Sequence, residues 1–398
     1  MCWVLCLSVC LRAGDWPGWL GPDRNGVSSE TDLIDRFGPA GPTIKWRFPL
    51  YKGFSSIAAT NDFVYAMGAD HMEYAVCLNA KDGELIWQAP IGKMFEDTMG
   101  GHGPRATPLI WQDRLFVISG YGNLHALDRE TGRTIWSRKL TQHFDGETPS
   151  WGYSGSPIIQ DNRLLIATGS TTLPALLALD PESGSIIWQT RPGLAGYATP
   201  VIFGSQKSQA VFFASDALVS IDLQQGHQLW EHPWKTPWSA NAATPVLIGP
   251  NQIFISSGYG KGSALLKAPS GKGSVQTVWQ NKRIRSAFST PIYHQGYLYG
   301  FDNATLKCID IAANREQWKQ RGFGQGSLIL ADGKLIVLGE KGKLALIKAD
   351  PSQYTELDRA RPLNRRCWTM PTLAHATLYI RDERTLLAID LSKPDATP

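Results

Sequence analysis

The sequence predicts an all-β protein: a single eight-bladed β-propeller of four-stranded antiparallel blades, closed by the N-terminal strand. Three observations lead to this prediction. A hairpin pattern recurs along the chain, a small residue followed by proline opens the cycles, and the last cycle lacks one strand that the N-terminal part can supply. A hairpin repeated at a period of roughly 40 to 50 residues is typical of propellers and solenoids.

The hairpin pattern is clearest at residues 126–136, which read ALDRETGRTIW. Apolar and polar residues alternate, turn at Gly132 and alternate again before Trp136. Gly132 can adopt the positive φ that such a tight turn needs. Four more copies place a small residue and a tryptophan ten positions apart, with Asp or Asn at the third position. They begin at Cys77, Ala178, Ser220 and Cys308.

Each cycle is predicted to contain four strands. A small residue and a proline open the first strand, where a sheet tolerates proline best. A second apolar strand follows a short polar turn, and the repeated hairpin supplies the third and fourth strands. The openings are ATP at 106–108, GSP at 155–157, ATP at 198–200, ATP at 243–245, STP at 289–291 and MPT at 370–372.

The last unit, residues 367–391, supplies three strands and stops. Residues 43–49, TIKWRFP, alternate like a strand, end near a repeat-type tryptophan and have no hairpin partner before them. We therefore expect this segment to complete the eighth blade, because such closure removes the two open sheet edges. The propeller is predicted to span 43–391.

The N-terminal residues 1–14, MCWVLCLSVCLRAG, are apolar and predict a truncated secretory signal, hence export to the periplasm or cell envelope. The alternative is an apolar N-terminus on a cytoplasmic protein, and a lipid anchor is not expected. Residues 15–42 predict an irregular arm lying against the body, and residues 392–398 a C-terminal tail. No interior apolar stretch is long enough to span a bilayer.

The charge distribution argues against nucleic-acid binding. Lys and Arg total 39 against 35 Asp and Glu, and no basic run exceeds two residues. A nucleic-acid interface would need stronger and more clustered positive charge. We expect a monomer that binds an envelope protein or a small molecule.

Tryptophan is abundant, with 15 in the chain, and several fall on the repeat. A large ring on an outer strand can bury itself against a small residue of the adjoining blade and hold two blades together. We predict this structural docking role for Trp46, Trp87, Trp136, Trp188, Trp230 and Trp318.

The A-x-D-x-x-T-G-x-x-x-W pattern resembles the tryptophan-docking repeat of the PQQ-dependent quinoprotein dehydrogenases. The wider PQQ-like propeller superfamily, including the outer-membrane protein assembly factor BamB, shares this repeat. The resemblance covers residues 43–391. The segments DWPGWLGPDRNG, GPRATP, WGYSGSP and SSGYGKGSALLK look closest to secreted bacterial PQQ-like propeller proteins.

The resemblance to the dehydrogenases implies a stacked quinone, a Ca²⁺ ion with oxygen ligands and an aspartate base. Those enzymes commonly also carry a vicinal disulfide and long loops over the cofactor, whereas this sequence has no adjacent cysteines and short loops. Isolated candidates for oxygen ligands are Glu96, Asp97, Asn241, Asp302 and Asn303. The sequence therefore predicts no catalytic residue and no metal site, with PQQ and Ca²⁺ as the alternative.

Topology places the repeated hairpin turns at one end of the propeller and the longer, aromatic and basic loops at the other. Function concentrates on loops held by a rigid scaffold, so a ligand is expected at the second end. Arginine forks and aromatic rings there would suit an anionic or carbohydrate-like ligand. The candidates are Arg105, Trp151, Tyr153, Asn241, Tyr259, Lys261, Arg283, Arg285, Arg365 and Trp368, with Arg366 beside them.

The sequence thus favours an exported binding or scaffold module that engages a protein partner or a small anionic or carbohydrate-like ligand. The alternative is a PQQ-dependent dehydrogenase that oxidises an alcohol or a sugar. A module that handles glycans is a third possibility, indicated by the number of tryptophans.

Overall fold

Thirty-two strands form eight four-stranded antiparallel sheets in the part of the chain that the computed structural model describes. That part is residues 14–394, so the predicted signal segment lies outside it except for Gly14, and residues 395–398 of the predicted tail also lie outside. The prediction of an all-β, eight-bladed propeller is confirmed. No helix within these residues has the length and apolar character needed to cross a membrane.

Blades 1 to 7 each take four consecutive strands, and blade 8 takes the last three strands together with the first, β1 (Ile44–Pro49). Blade 1 contains β2 (Ala58–Ala59), β3 (Phe63–Ala69), β4 (Met72–Asn79) and β5 (Leu85–Lys93). Blade 2 contains β6 (Leu109–Trp111), β7 (Arg114–Ile118), β8 (Asn123–Asp128) and β9 (Thr134–Lys139). Blade 3 contains β10 (Ile158–Gln160), β11 (Arg163–Ala167), β12 (Leu176–Leu179) and β13 (Ile186–Thr190). Blade 4 contains β14 (Val201–Phe203), β15 (Gln209–Phe213), β16 (Ala217–Asp222) and β17 (Gln228–Pro233).

The second half of the ring continues in the same order. Blade 5 contains β18 (Val246–Leu247), β19 (Gln252–Ser257), β20 (Gly262–Lys267) and β21 (Gln276–Asn281). Blade 6 contains β22 (Ile292–His294), β23 (Tyr297–Asp302), β24 (Thr305–Asp310) and β25 (Arg315–Gln320). Blade 7 contains β26 (Ser327–Ala331), β27 (Lys334–Leu338), β28 (Leu344–Lys348) and β29 (Glu356–Ala360). Blade 8 contains β30 (Thr372–Ala374), β31 (Thr377–Arg381), β32 (Thr385–Asp390) and β1. The connections also hold one helical turn, α1 (Leu140–His143), and a 3-10 turn at Pro237–Ser239.

Burial explains why inner strands are continuously apolar and outer strands alternate. Every blade packs between two others, so its inner strands are covered on both faces. All five residues of β27 are buried, whereas β9 at the rim buries Trp136 between exposed neighbours. The outer strand therefore carries the polar surface and one large docking side chain.

Four of the six predicted tryptophans join neighbouring blades through a hydrogen bond and a stacked glycine: Trp46, Trp87, Trp136 and Trp188. The Trp136 indole N–H donates to the Pro181 carbonyl of blade 3, and a Cβ on Gly184 would lie 2.8 Å from that indole. The small residue of the repeat has a different role from the one predicted, because it is the neighbour of the tryptophan across its own blade, as Ala126 is for Trp136. The equivalent indole bonds are Trp46 to Ala80, Trp87 to Arg129, Trp188 to Leu223, Trp279 to Ile311 and Trp318 to Asp350.

The remaining fixed positions of the repeat shape the turn on which the tryptophan docks. The Asp128 carboxylate accepts hydrogen bonds from the N–H and the hydroxyl of Thr131. Gly132 follows with a φ of 71°, and a Cβ there would lie 2.6 Å from the Trp87 ring. Only glycine combines this backbone conformation with this close approach. Asp, Gly and Trp therefore recur together because they form one contact.

Two junctions depart from the pattern, each for a visible reason. Trp230 donates to the side-chain oxygen of Gln209, whose amide donates in turn to the Pro269 carbonyl. Gln209 thus bridges the gap where residues 269–274 lengthen the next hairpin. Blade 7 has Asp358 opposite Leu346, in the register of the missing tryptophan, and Asp358 accepts the Phe37 N–H of the arm at 2.7 Å. Blade 8 offers no hairpin for docking because the chain termini separate its third and fourth strands.

The arm covers the central channel at the hairpin end. Trp16 pairs with Ala59 of blade 1, the Pro17 carbonyl accepts the Ile110 N–H of blade 2, and Val27 pairs with Leu330 of blade 7. Further contacts reach blades 3, 5, 6 and 8, so the arm touches seven of the eight blades at or beside their innermost strands. These contacts are Arg24 with Ile159, Trp19 with Thr244, Gly26 with Ile292, and Asp15 with His375.

Candidate functional site

The loop face is the end of the propeller opposite the hairpins. It is formed by the connections between blades and by the turns between second and third strands. The longest connections are residues 94–108 after blade 1 and 140–157 after blade 2. Because the arm covers the hairpin end, the loop face is the end at which the side chains outside the repeat reach solvent.

Four aromatic side chains from separate loops meet on this face, and we call them the aromatic platform: Trp151, Tyr197, Trp238 and Tyr259. The Trp151 and Tyr259 rings are nearly parallel, at 8° and 6.0 Å between centroids. Trp238 stands across both, at 72° to Trp151 and 76° to Tyr259. Tyr197 lies 5.5 Å from Trp151 and is itself buried. Two exposed rings, Trp238 and Tyr259, thus lie at a steep angle to each other, and Trp151 is stacked against Tyr259.

The two outermost residues of the platform are exposed and conformationally strained. Trp238 is 65% exposed with a φ of 55°, and Tyr259 is 47% exposed with a φ of 52°. Bulky residues rarely adopt this left-handed region, which costs roughly 1–2 kcal/mol. Exposed aromatic rings held in a costly conformation are typical of binding sites.

Two predicted ligand-face residues are buried and hold the loops in place. Asn241 is 0% exposed, and its amide donates to the carbonyls of Ala214, Ser215 and Trp234. Tyr153 is 4% exposed and donates its hydroxyl to the Thr168 carbonyl at 2.6 Å. Neither side chain is available to a ligand, which corrects their assignment as candidates.

A second aromatic group includes the predicted Trp368. Its ring lies 5.7 Å from Phe54 and 5.3 Å from Phe288, which come from the connections after blades 8 and 5. The Arg366 guanidinium covers Trp368 at 4.6 Å, and the Trp368 indole N–H donates to Glu340. Trp368 is thus enclosed by its neighbours and only partly open to solvent.

Arg105 is engaged inside its own loop. Its guanidinium pairs with Asp97 at 2.9 Å, donates to the carbonyls of Gly101 and Gly103, and covers the Phe95 ring. Burial lowers the pKa of Arg105, despite the opposing effect of Asp97. Arg105 therefore organises residues 94–105 and has little surface left for a ligand.

A buried carboxylate ties this loop to the next blade. Glu73 is 0% exposed and accepts the backbone N–H groups of Phe95 and Gly120, at 3.0 and 2.8 Å. Burial raises the pKa of Glu73 to about 7, although both N–H groups and Arg105 act in the opposite direction. Its protonation state is therefore sensitive to pH near neutrality.

The other basic candidates do not gather at one point. The Lys261 ammonium lies 4.5 Å above the ring of the buried Trp234. Arg285 pairs with Asp302 at 2.7 Å on blade 6. Arg283 and Arg365 are exposed, in the connections after blades 5 and 7. Arg105 and Arg366 meet at the Phe54 ring, whereas the other basic candidates lie apart, and the platform itself is mainly aromatic.

Sequence reasoning missed several residues that shape this face: Tyr197, Trp238, Phe54, Phe288 and Glu73. The clearest available signal was the PWKTPWS stretch at 233–239, which places two tryptophans in a proline-rich loop. Prolines restrict the backbone of such a loop and help it to present a ring at a fixed angle.

Three of the candidate oxygen ligands for a cation are engaged by other groups of the protein. Asp97 and Asp302 are held in ion pairs, and Asn241 is fully buried with its amide and carbonyl oxygen hydrogen-bonded. Within residues 14–394, no group of three His, Cys, Asp or Glu side chains is placed to hold a metal ion. The five sequence-based candidates lie in three places: Glu96 and Asp97 after blade 1, Asn241 after blade 4, and Asp302 and Asn303 at a turn of blade 6.

A family model described as outer membrane protein assembly factor BamB matches residues 71–320, well over half of the chain. No protein in the curated set matches. Among solved structures, the chain is similar to BamB from Moraxella catarrhalis, with a TM-score of 0.63 and 15% identity over 88% of this chain and 98% of that one.

Two enzymes share the fold as well. The quinohemoprotein alcohol dehydrogenase from Comamonas testosteroni has a TM-score of 0.66 and 12% identity, over 99% of this chain and 83% of that one. A europium-containing methanol dehydrogenase has a TM-score of 0.69 and 10% identity, over 95% and 90%. At these identities the likeness concerns the fold and carries no assignment of activity.

Proposed function

This chain belongs to the family of the outer membrane protein assembly factor BamB, and we propose that it is an exported, non-catalytic binding module with a carbohydrate-like ligand on its loop face. The observation that supports this proposal is the aromatic platform, whose outer rings are exposed and held in strained backbone conformations. The expectation of export comes from the apolar N-terminal segment and from the envelope role in the family description.

The shape of the platform suits a sugar ring. A pyranose has faces of C–H groups and a rim of hydroxyls, so one face can pack on aromatic carbon while the rim stays in water. The exposed Tyr259 ring, with Trp151 stacked against it, offers one such surface, and the exposed Trp238 ring lies at a steep angle to both. Rigid aromatic rings give large contact area at a low cost in conformational entropy.

The test is a calorimetric titration of the protein with a panel of neutral oligosaccharides, followed in parallel by tryptophan fluorescence. We expect saturable binding that weakens at least tenfold, about 1.4 kcal/mol, in Trp238→Ala. The matched control is Tyr51→Ala, which removes another aromatic ring that is 47% exposed with a φ of 57°. Equal weakening in both variants, or no binding by any oligosaccharide, would count against a sugar site.

A protein partner is the second candidate, favoured by the family description and by the enrichment of Trp and Tyr at protein interfaces. It predicts a different result from the same variants. An envelope protein would bind the wild type and Tyr51→Ala but not Trp238→Ala, while the oligosaccharides would give no heat.

The dehydrogenase alternative requires PQQ with Ca²⁺, and the scattered oxygen ligands described above do not favour it. We expect no saturable heat when the protein is titrated with PQQ, with or without Ca²⁺. Saturable, Ca²⁺-dependent binding would reverse this expectation, and an alcohol and sugar oxidation screen would then follow.

A further inference from the structure

A polar cleft of about 450 Å³ lies on blade 6 and shares no residue with the aromatic platform. It lies between the turn at 303–304 and the connection at 321–326 that follows β25. Charged and amide side chains form most of its wall. They are Arg285, Asp302, Asn303, Lys307, Lys319 and Arg321.

Two carboxylates orient the cations of this cleft. Asp302 pairs with Arg285 at 2.7 Å and with Lys307 at 2.9 Å. Glu316, beside the cleft, pairs with Lys307 at 3.1 Å and with Lys319 at 3.3 Å. Burial acts to raise the pKa of Asp302, but hydrogen bonds from Arg285 and Lys307 outweigh it and hold that pKa below its ordinary value. Both carboxylates are therefore charged near neutral pH.

The cations outnumber the carboxylates. Arg285, Lys307, Lys319 and Arg321 carry four positive charges against the two of Asp302 and Glu316. Lys319 and Arg321 are exposed at the opening, and among residues 14–394 Arg321 takes part in no ion pair. The N–H donors of its planar guanidinium group are therefore available to an anion.

The surroundings of the cleft carry charges of both signs, because the Glu340 carboxylate lies against Gly324 and Arg359 is paired with Glu356. The Lys343 ammonium donates to the Gly322 carbonyl at the edge of the cleft. Burial, followed by the nearby guanidinium groups of Arg359 and Arg361, lowers the pKa of Lys343.

We propose that the blade 6 cleft binds a phosphate group carried by a ligand of about the size of a sugar phosphate. A phosphate monoester carries up to two negative charges and matches the charge excess of the cleft. Its oxygens can accept two parallel hydrogen bonds from Arg321 and one from Lys319. The volume is within the usual range for small-molecule sites and exceeds what a bare ion fills.

The test is a calorimetric titration with three probes: glucose 6-phosphate, inorganic phosphate and glucose. We expect glucose 6-phosphate to bind, with an affinity that falls as ionic strength rises, and glucose to give no heat. Arg321→Gln and Lys319→Gln should each weaken binding at least tenfold. Arg384→Gln, the matched control, removes the same charge from an exposed arginine in the turn between β31 and β32 on the same face, and it should leave binding unchanged.

The outcomes separate the possible sources of the phosphate. Tighter binding of glucose 6-phosphate than of inorganic phosphate supports a phosphorylated sugar, and equal binding supports free phosphate as the ligand. Equal weakening in Arg321→Gln and Arg384→Gln means a diffuse charge effect and overturns the proposal. Absence of saturable heat with both phosphates overturns it as well.

The proposal of a phosphate site in the cleft and the proposal of an oligosaccharide site at the platform can be disproved independently. Trp238→Ala should leave phosphate binding unchanged, and Arg321→Gln should leave oligosaccharide binding unchanged. Loss of both activities in either variant would show that one shared site, or a change in folding, explains the data. Unfolding midpoints of both variants check the second explanation.

Discussion

The two ends of the propeller use the same kinds of residue for opposite purposes. At the hairpin end, Trp136 is 8% exposed, lies on a glycine of the next blade and donates to a backbone carbonyl. At the loop end, Trp238 is 65% exposed and leans on two other rings. The first tryptophan is part of the blade junction, and the second is presented to solvent.

Positive φ occurs at both ends, but on different kinds of residue. At the hairpin end it falls on glycines such as Gly132 and Gly184, which adopt it at low cost, and on polar turn residues such as Asn162. At the loop end it falls on glycines as well, but also on the aromatic residues Trp238 and Tyr259. The loop end therefore holds bulky rings in a conformation that stability does not favour. This contrast makes the loop end the better candidate for a function.

The largest effect is expected from removing the ring that anchors the arm. Trp16 is 2% exposed, pairs with Ala59 and lies against Gly21. Trp16→Ala should lower the free energy of unfolding by about 3–5 kcal/mol, because it leaves a cavity in the closed end. Urea unfolding measures this loss. The control is Trp238→Ala at the other end, for which we expect a loss below about 1 kcal/mol, and similar losses would refute the contrast.

A smaller effect is expected from adding a methyl group beneath a docked tryptophan. Gly132 and Gly333 have φ values of 71° and 69°, but a Cβ at Gly132 would clash with Trp87, and one at Gly333 would meet no atom within 4 Å. Gly333→Ala should cost about 1 kcal/mol for the left-handed backbone. Gly132→Ala should cost about 1–3 kcal/mol more, because the indole must shift. Equal unfolding midpoints would mean that the stacked contact contributes nothing.

Much of the fold was predictable because every repeat carries the same parts of two successive junctions. The turn with Asp128 and Gly132 receives Trp87 of the preceding blade, and Trp136 of the same hairpin docks on the following blade. The count of eight blades and the closing strand follow from the spacing of the repeats. The position of the arm was not predictable, because residues 15–42 contact strands hundreds of residues away and carry no periodic pattern.

The candidate site was only partly predictable. Trp151 and Tyr259 were identified as loop aromatics, but Tyr197 and Trp238 belong to other connections, and no spacing links them. The sequence-based assignment of Asn241 to the ligand face was wrong for a related reason. In a strand, the alternation of apolar and polar residues tells which side chains point inward. In an irregular loop, the path of the backbone determines the direction of each side chain, and the sequence does not reveal that path.

The free energy of unfolding should depend on pH through a residue of the loop end, because Glu73 lies there at the start of β4. Burial raises its pKa from 4.5 to about 7. The folded protein therefore holds the proton of Glu73 more tightly than the unfolded chain does. The contribution of Glu73 to the free energy of unfolding is greatest at low pH and falls as the pH rises from about 4.5 to about 7. The loss from this residue is at most about 3 kcal/mol.

The variant Glu73→Gln keeps the shape of the side chain and cannot titrate. Urea unfolding at pH 5 and pH 8 should show a smaller loss of stability in this variant than in the wild type. At low pH the variant should be the less stable of the two, because its amide cannot accept from both Phe95 and Gly120. An unchanged pH dependence would mean that Glu73 is charged in the folded protein throughout this range.

The smallest effect on stability is expected from Trp238→Gly, at the centre of the contrast. Glycine relieves a left-handed backbone that costs roughly 1–2 kcal/mol, while the change removes the ring contacts and adds freedom to the unfolded chain. These terms oppose one another, so the free energy of unfolding should change by less than about 1 kcal/mol while oligosaccharide binding is lost. The measurement is urea unfolding beside the same calorimetric titration. A loss above about 2 kcal/mol would show that the platform supports the loop face itself, because a ring retained for a ligand can be removed at little cost to folding.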